Sequence, residues 1–287
     1  MNRHRFPYIE NQKNSVKARI ILFAILMLFV FFFPLIVHNQ YFLRLGIISL
    51  MYGGLALSLN LVSGFLGQIS LGHAAFLGVG AYTSALLSAH FGLSFPVTAL
   101  AAIVISALFG VLLGLPALKL SGSYLAIVSM GFCEIIRLVE LNWIDLTRGP
   151  MGITNISRPH VFGMEIRSGQ GFYYLCLVLV GIICFFCSSL LRSYAGRAIL
   201  SIREDATAAA FMGINVFGWK IFTFSLSAGM VGLMGAFYAH YMRFIDPTIF
   251  NFDQSTSILC MVIVGGSGSI AGSFLGALIL SIVPELL

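Results

Sequence analysis

Residues 20–37, IILFAILMLFVFFFPLIV, carry no charged side chain, and this run is only the first of a series. A membrane helix needs about 20 mostly apolar residues to cross about 30 Å of hydrocarbon. Stretches of that kind recur near 20–37, 45–63, 71–90, 96–118, 124–142, 172–191, 221–242, 256–265 and 273–284. Hydrophobic residues make up 59% of the chain and charged residues 9%, with a mean hydropathy of +0.98. An ordinary globular chain carries about 25% charged residues, because it has water to face. Sixteen basic and ten acidic side chains cannot coat a body of 287 residues, so its solvent is largely lipid. The expectation is an all-α fold, a polytopic transmembrane helical bundle of about 8–10 spans. It divides into a basic cytoplasmic tail, 1–19, and a single transmembrane domain, 20–287.

The net charge of +6 does not point to nucleic acid, because the charge is distributed as in loops. With the N-terminus cytoplasmic, ten basic residues fall inside: Arg3, Arg5, Lys13, Lys17, Arg19, Lys119, Arg192, Arg197, Arg203 and Lys220. Five fall outside, at Arg44, Arg148, Arg158, Arg167 and Arg243, and Arg137 is left in a span. This asymmetry follows the positive-inside rule and sets the orientation. It makes 142–171 an external loop and 192–220 a cytosolic one. The cytosolic segment from Ala195 to Met212 reads as one helix, rich in alanine, with Gly213 as its C-cap.

Little in the chain can do covalent chemistry. There is no Gly-rich phosphate loop of the G-x-x-x-x-G-K-[ST] kind, no H-E-x-x-H and no cysteine set with metal spacing, so neither a metal site nor catalytic residues are expected. Cys184 and Cys187 form a C-x-x-C, but their flanks are apolar and lack the positive neighbours that stabilise a thiolate, so they read as packing residues. The protein is expected to move something and not to be an enzyme.

Polar residues and glycines then stand out where they interrupt apolar runs. The stretch GFLGQISLGHAAFLGVGAYTSALL (64–87) crowds Gly64, Gly67, Gly72, Gly78 and Gly80 together, with Gln68, Ser70 and His73 among them. Small residues allow close helix approach, while buried polar groups either join helices or line a route. Both roles stay open for Gln68, Ser70, Gly72, His73 and Gly78. Glu134, Arg137 and Glu140 sit at i, i+3 and i+6, read as roughly one face. Arg137 either pairs with one glutamate, leaving the other near the external interface, or Glu134 lines the route.

GQISLGHAAFLGVGAYTSALL (67–87) closely resembles the signature of bacterial branched-chain amino acid ABC transporter permeases of the LivM type. GRAILSIREDATAAAFMGINVFGWKIFTFSLSAGMVGLMGAFYAHY (196–241) is similar to that family's cytosolic loop and next helix, and IVGGSGSIAGSFLGALI (263–279) to its C-terminal glycine block. TRGPMGI (147–153) is similar to its external loop, so the resemblance spans roughly residues 41–287. It implies a permease in a bacterial inner membrane that imports branched-chain amino acids. Its partners would be a second, LivH-like permease, two cytosolic ATP-binding subunits and an extracytoplasmic substrate-binding protein, besides the lipid bilayer. The chain itself would hold no cofactor, ATP and Mg being used by the partner subunits.

The resemblance also implies an ATPase-docking helix, which such permeases write E-A-A-x-x-x-G. The matching stretch here is Thr207–Gly213, with Thr207 in place of the acid. The docking residues it implies are Arg203, Glu204, Asp205, Ala208, Ala209 and Gly213. The family continues after the Pro-Glu of its last block with another apolar span and a cytosolic tail. This chain stops at Leu287, and reads as truncated or as a short member. Permeases for urea, short-chain amides or other amino acids in the same family are alternatives. A stand-alone secondary transporter would show inverted repeats, which are not visible here.

Overall fold

The computed structural model describes residues 32–35, 39–117, 122–161 and 164–286. The tail 1–19, Lys119 and all but 32–35 of the first apolar run lie outside them. The other eight apolar runs are all helices. They are α1 (Gln40–Asn60), α2 (His73–Phe91), α3 (Phe95–Ala117), α4 (Ser123–Asn142), α5 (Gly169–Arg192), and, beyond two short helices, α8 (Val216–Met242), α9 (Phe252–Gly265) and α10 (Ile270–Leu286). Five of these are long and apolar enough to cross a membrane: α1 with its extension to Phe65, α2, α3, α5 and α8. α4 carries three ionisable residues, and α9 and α10 are shorter apolar helices. At 14 residues, α9 reaches about 21 Å, short of the hydrocarbon thickness. This is a polytopic helical bundle.

Helix α8 is the axis of the bundle and packs on α1, α2 and α3. Glycine makes this possible, because lipid supplies no hydrophobic drive between helices and close backbone packing has to replace it. A Cβ on Gly80 of α2 would sit 2.5 Å from Gly232 Cα of α8. One on Gly110 of α3 would sit 2.7 Å from Ala228 Cβ. On the other flank α1 receives α10, with Phe274 lying over Gly53, and α5, with Val180 over Gly54. The pair α9–α10 closes through Gly265, Gly272 and Gly276, where a Cβ on Gly276 would collide with the Met261 carbonyl, its carbon 2.9 Å away.

Two chain breaks lie at one end of the bundle. Helix α1 widens into a π turn over Leu61–Phe65, and Leu66 N–H bonds Leu61 O at 3.2 Å. Gly67, at φ +74°, then turns the chain into the extended stretch before His73. The second break joins α9 to α10 through Gly266 (φ +98°) and Gly268 (φ +82°). Asn60 links the breaks: its Oδ1 accepts from Gly268 N–H at 2.8 Å, and its Nδ2 donates to Ser273 Oγ at 2.8 Å. A side chain on Gly64 would displace Asn60 and Gly268.

The opposite end is tied by loops. Ile153–Thr154 pairs antiparallel with Phe244–Ile245, and His160–Val161 with Met164–Glu165. Arg167 donates to Glu165 at 2.7 Å and holds its carboxyl below the usual range. His240 reaches Ser84 Oγ at 3.0 Å and the Ser157 carbonyl at 2.7 Å, fastening the 143–157 loop to α2 and α8.

Candidate functional site

His73 opens α2 and is fully buried. Ser227 Oγ donates to the Ser58 carbonyl at 2.6 Å, so it accepts from His73 Nε2–H at 2.9 Å. That tautomer leaves Nδ1 to accept from the Ser70 hydroxyl at 3.2 Å. One neutral imidazole therefore joins the loop before α2 to α8 and, through Ser58, to α1. Gly72 and Ala74 continue this junction toward α4 and α9. A Cβ on Gly72 would stand 2.8 Å from Ser129 O, Leu71 N–H donates to Ser129 Oγ at 2.9 Å, and Ala74 N–H donates to Ser255 Oγ at 3.0 Å. Gln68 is half-buried, and its side-chain carbonyl has no hydrogen-bond partner among the described residues.

The charges of α4 do not share a face. Each step of three residues turns about 300°, so two steps carry Glu140 about 120° round from Glu134. Glu134 and Arg137 form an ion pair with side chains 45% and 24% exposed, Arg137 Nε donating to Glu134 Oε2 at 3.0 Å. Glu140 instead turns inward and is 5% exposed. Its carboxylate lies over Gly78 of α2, where a Cβ would be 2.7 Å from Oε1. Gly78 thus leaves the room that this carboxylate occupies. Beside it a cavity of about 160 Å³ opens between α2, α3 and α4, lined by Val79, Tyr82, Ile105, Ile136 and Glu140 among others.

The segment 192–220 differs from the single helix expected. It forms α6 (Tyr194–Glu204) and a short α7 (Ala206–Phe211), broken at Asp205, whose φ of −155° is extended. The aspartate is the cause, because its side chain caps the second helix: Oδ1 accepts from Thr207 N–H at 2.8 Å and Ala208 N–H at 3.0 Å. Gly213, at φ +82°, ends the element. Arg203, Glu204 and Ala208 are exposed, while Ala209 is buried and faces the chain's own core. The projecting tip is Phe211 and Met212, 88% and 83% exposed. Arg203 lies against both chain breaks: a Cβ on Gly67 would be 3.1 Å from its Cγ, and one on Gly268 3.0 Å from its Nη1.

Residues 41–287 match the family model described as branched-chain amino acid transport system, permease component. The chain belongs to this family. It is 35% identical to the high-affinity branched-chain amino acid transport system permease protein LivM of Salmonella typhimurium, over 96% of this chain and 69% of that protein. It is 24% identical to the probable branched-chain amino acid transport permease protein LivM of Methanocaldococcus jannaschii, over 83% of this chain and 78% of the relative. The LivH permease protein of Salmonella typhimurium is 24% identical over 82% of this chain and 81% of its own length. No solved structure matches the chain. A branched-chain amino acid transport permease is a multi-pass membrane protein and a transport subunit, not an enzyme. As a component, it works with other subunits of its system.

Several residues of this permease escaped the sequence reading. Ser58, Ser129 and Ser227 lie between apolar neighbours and read as small packing residues, while Ser255 is lost in the polar start of α9, Asp253–Ser257. Phe211 and Met212 follow the alanines but carry no motif of their own. Glu140 was visible as a charge, while its inward turn depends on which side of α4 meets α2.

Proposed function

We propose that this chain is the membrane permease subunit of an ATP-driven importer of leucine, isoleucine and valine. The observation that carries the reading is 35% identity over nearly the whole chain to a LivM permease. The surrounding system would be a second, LivH-like permease, two cytosolic ATPases and a substrate-binding protein outside the cell. ATP and Mg would belong to the ATPases, with no cofactor held by this chain. Residues 20–287 would form one transmembrane domain in a bacterial inner membrane, with the tail 1–19 and the 192–220 segment cytoplasmic. The surplus of basic residues on that side supports this orientation.

The ATPase contact would be the α7 tip, with Arg203, Glu204, Asp205, Ala208 and Gly213 around it and Ala209 seating it from within. Phe211 and Met212 give that tip a large apolar surface, which a partner groove would bury. Arg203 would pass movement of the tip to the two chain breaks. The polar group of Gln68, Ser70 and His73, packed through Gly72, would set how α2 stands against α8 and α4, with the Glu134–Arg137 pair on the outer side of α4.

The test is uptake of labelled leucine by the whole system in proteoliposomes, with detergent pull-down of the ATPases. Phe211→Asp should insert normally, lose the ATPases and take up leucine at background level. If the variant retains both, the docking assignment is wrong. If the intact system moves urea or an amide but not leucine, the substrate assignment is wrong.

A further inference from the structure

Helix α4 buries one stripe of its surface. Leu125, Ser129, Cys133, Ile136 and Glu140 meet the rest of the bundle, while Ile127, Met130 and Leu138 are open. Glu134 and Arg137 share that open strip, on successive turns with Met130 and Leu138. The open faces of α3 and α5 are different. Val97, Leu100, Val104 and Leu108 stand out from α3, and Val178, Ile182 and Phe185 from α5. Lipid tails match such faces, being as apolar as leucine.

The charged pair of α4 does not match lipid. Glu134 stands about 17 Å along a helix about 30 Å long, so the pair lies near the middle of the membrane. An arginine carries five N–H donors and a carboxylate about four acceptor sites. Nε and Nη2 of Arg137 each donate to Glu134, and Nη1 meets no acceptor among the described residues. About three donors and about two acceptor sites are therefore left over, at a depth where hydrocarbon satisfies neither. Ionisable residues so placed are covered by protein or by a watery cavity.

The depth selects the cover, because only another membrane-spanning segment reaches it. The described end of this chain's first apolar run lies elsewhere: Phe33 stacks on Tyr173 of α5 and covers Gly46 of α1, and Gln170 donates to the Pro34 carbonyl at 3.0 Å. A second copy of this chain would bring the same excess of donors over acceptors and could not satisfy it. The complementary surface carries hydroxyl or carbonyl oxygens and no net charge, since Glu134 and Arg137 cancel each other.

We propose that the open strip of α4 from Ile127 to Leu138 is the surface that seats on the second permease subunit. The Glu134–Arg137 pair is enclosed in that contact, and its free N–H groups donate to hydroxyl or carbonyl oxygens of the partner. The inference rests on the reading of a two-permease importer and assigns the pairing to one helix face. The open faces of α3 and α5 remain in lipid.

The experiment uses the complete transporter in its own membrane, with the second permease tagged. The photoreactive residue p-benzoylphenylalanine replaces Ile127 or Met130 on α4 and, as controls, Leu108 on α3 or Phe185 on α5. Irradiation should join the two α4 variants to the tagged permease and leave the α3 and α5 variants unjoined. Products from α3 or α5 with none from α4 overturn the surface, as do products holding only copies of this chain, or no product from any position.

A second measurement asks whether the pair itself lies in the contact. Glu134→Gln leaves the Arg137 charge without its counter-ion, and a guanidinium does not escape by losing its proton. Removing one member of an enclosed pair is costly, while replacing both by uncharged residues is close to neutral. Glu134→Gln should therefore lower co-purification of the second permease about tenfold or more. Glu134→Gln with Arg137→Met should bring it back near the parental level. Undiminished co-purification in Glu134→Gln overturns the enclosure of the pair, and if that variant does not insert, the photochemical result decides alone. A wild-type system that contains no second permease overturns the functional reading and the surface together. A wild-type pair of permeases joined elsewhere overturns the surface alone.

Discussion

His73 Nε2 and Ser227 Oγ stand 2.9 Å apart, although 154 residues separate them in the chain. The bond fixes how far the start of α2 is from the middle of α8. Its partners Ser70 and Ser58 extend it to the first chain break and to α1. One buried histidine thus ties three segments of the chain together in the middle of the bundle.

Ser227→Ala would leave the His73 N–H without a partner in a fully buried position. Interhelical hydrogen bonds in membranes average about 0.6 kcal/mol, while an orphaned buried donor costs about 1–3 kcal/mol. The expected loss is about 1 kcal/mol, the overlap of the two ranges. A lower midpoint for loss of the monodisperse peak after heating in detergent checks it. An unchanged midpoint would show that the bond contributes nothing to stability.

Gly80→Leu should prevent α2 and α8 from packing, because even a Cβ would meet Gly232 Cα at 2.5 Å. The contact is backbone against backbone, so no side-chain rotation relieves it. The folded yield should fall to near zero. Gly181→Ala on α5, where a Cβ would meet nothing within 4 Å, should fold like the parent. Equal yields from both variants would contradict the packing described.

Thr154 and Thr207 are exposed at opposite ends of the bundle. In a background without cysteine, Thr154→Cys should react with a membrane-impermeant thiol reagent added to intact cells, and Thr207→Cys only after the membrane is opened. The reversed pattern would invert the proposed orientation.

The Glu134–Arg137 pair is partly exposed, and pairs of that kind contribute about 0–1 kcal/mol. The double variant Glu134→Gln, Arg137→Met should therefore assemble and transport leucine at close to the parental rate. A large fall in uptake with intact assembly would place the pair on the route.

The order of helices, the crowded glycines of 64–87 and the family resemblance are all legible in the sequence, because each is a local property. A run of apolar residues reads as a membrane helix whatever it packs against, and a glycine marks close approach before its partner is known. What the partner is depends on contacts between residues far apart. Nothing near Gly80 names Gly232, and nothing near Gly78 announces that the room it leaves is taken by Glu140. The three charges of α4 show the difference most plainly. Their spacing made them neighbours along the chain, yet the rotation of the helix against α2 sent Glu134 and Arg137 outward to each other and Glu140 inward alone. Asp205 read as an acid near a helix N-terminus, but that it breaks the segment in two and caps the second helix follows only from its extended backbone. The sequence by itself determined that the chain is a membrane bundle and to which family it belongs. Only the tertiary structure decided which polar groups satisfy one another and which are left waiting, because satisfaction is a matter of distance in space.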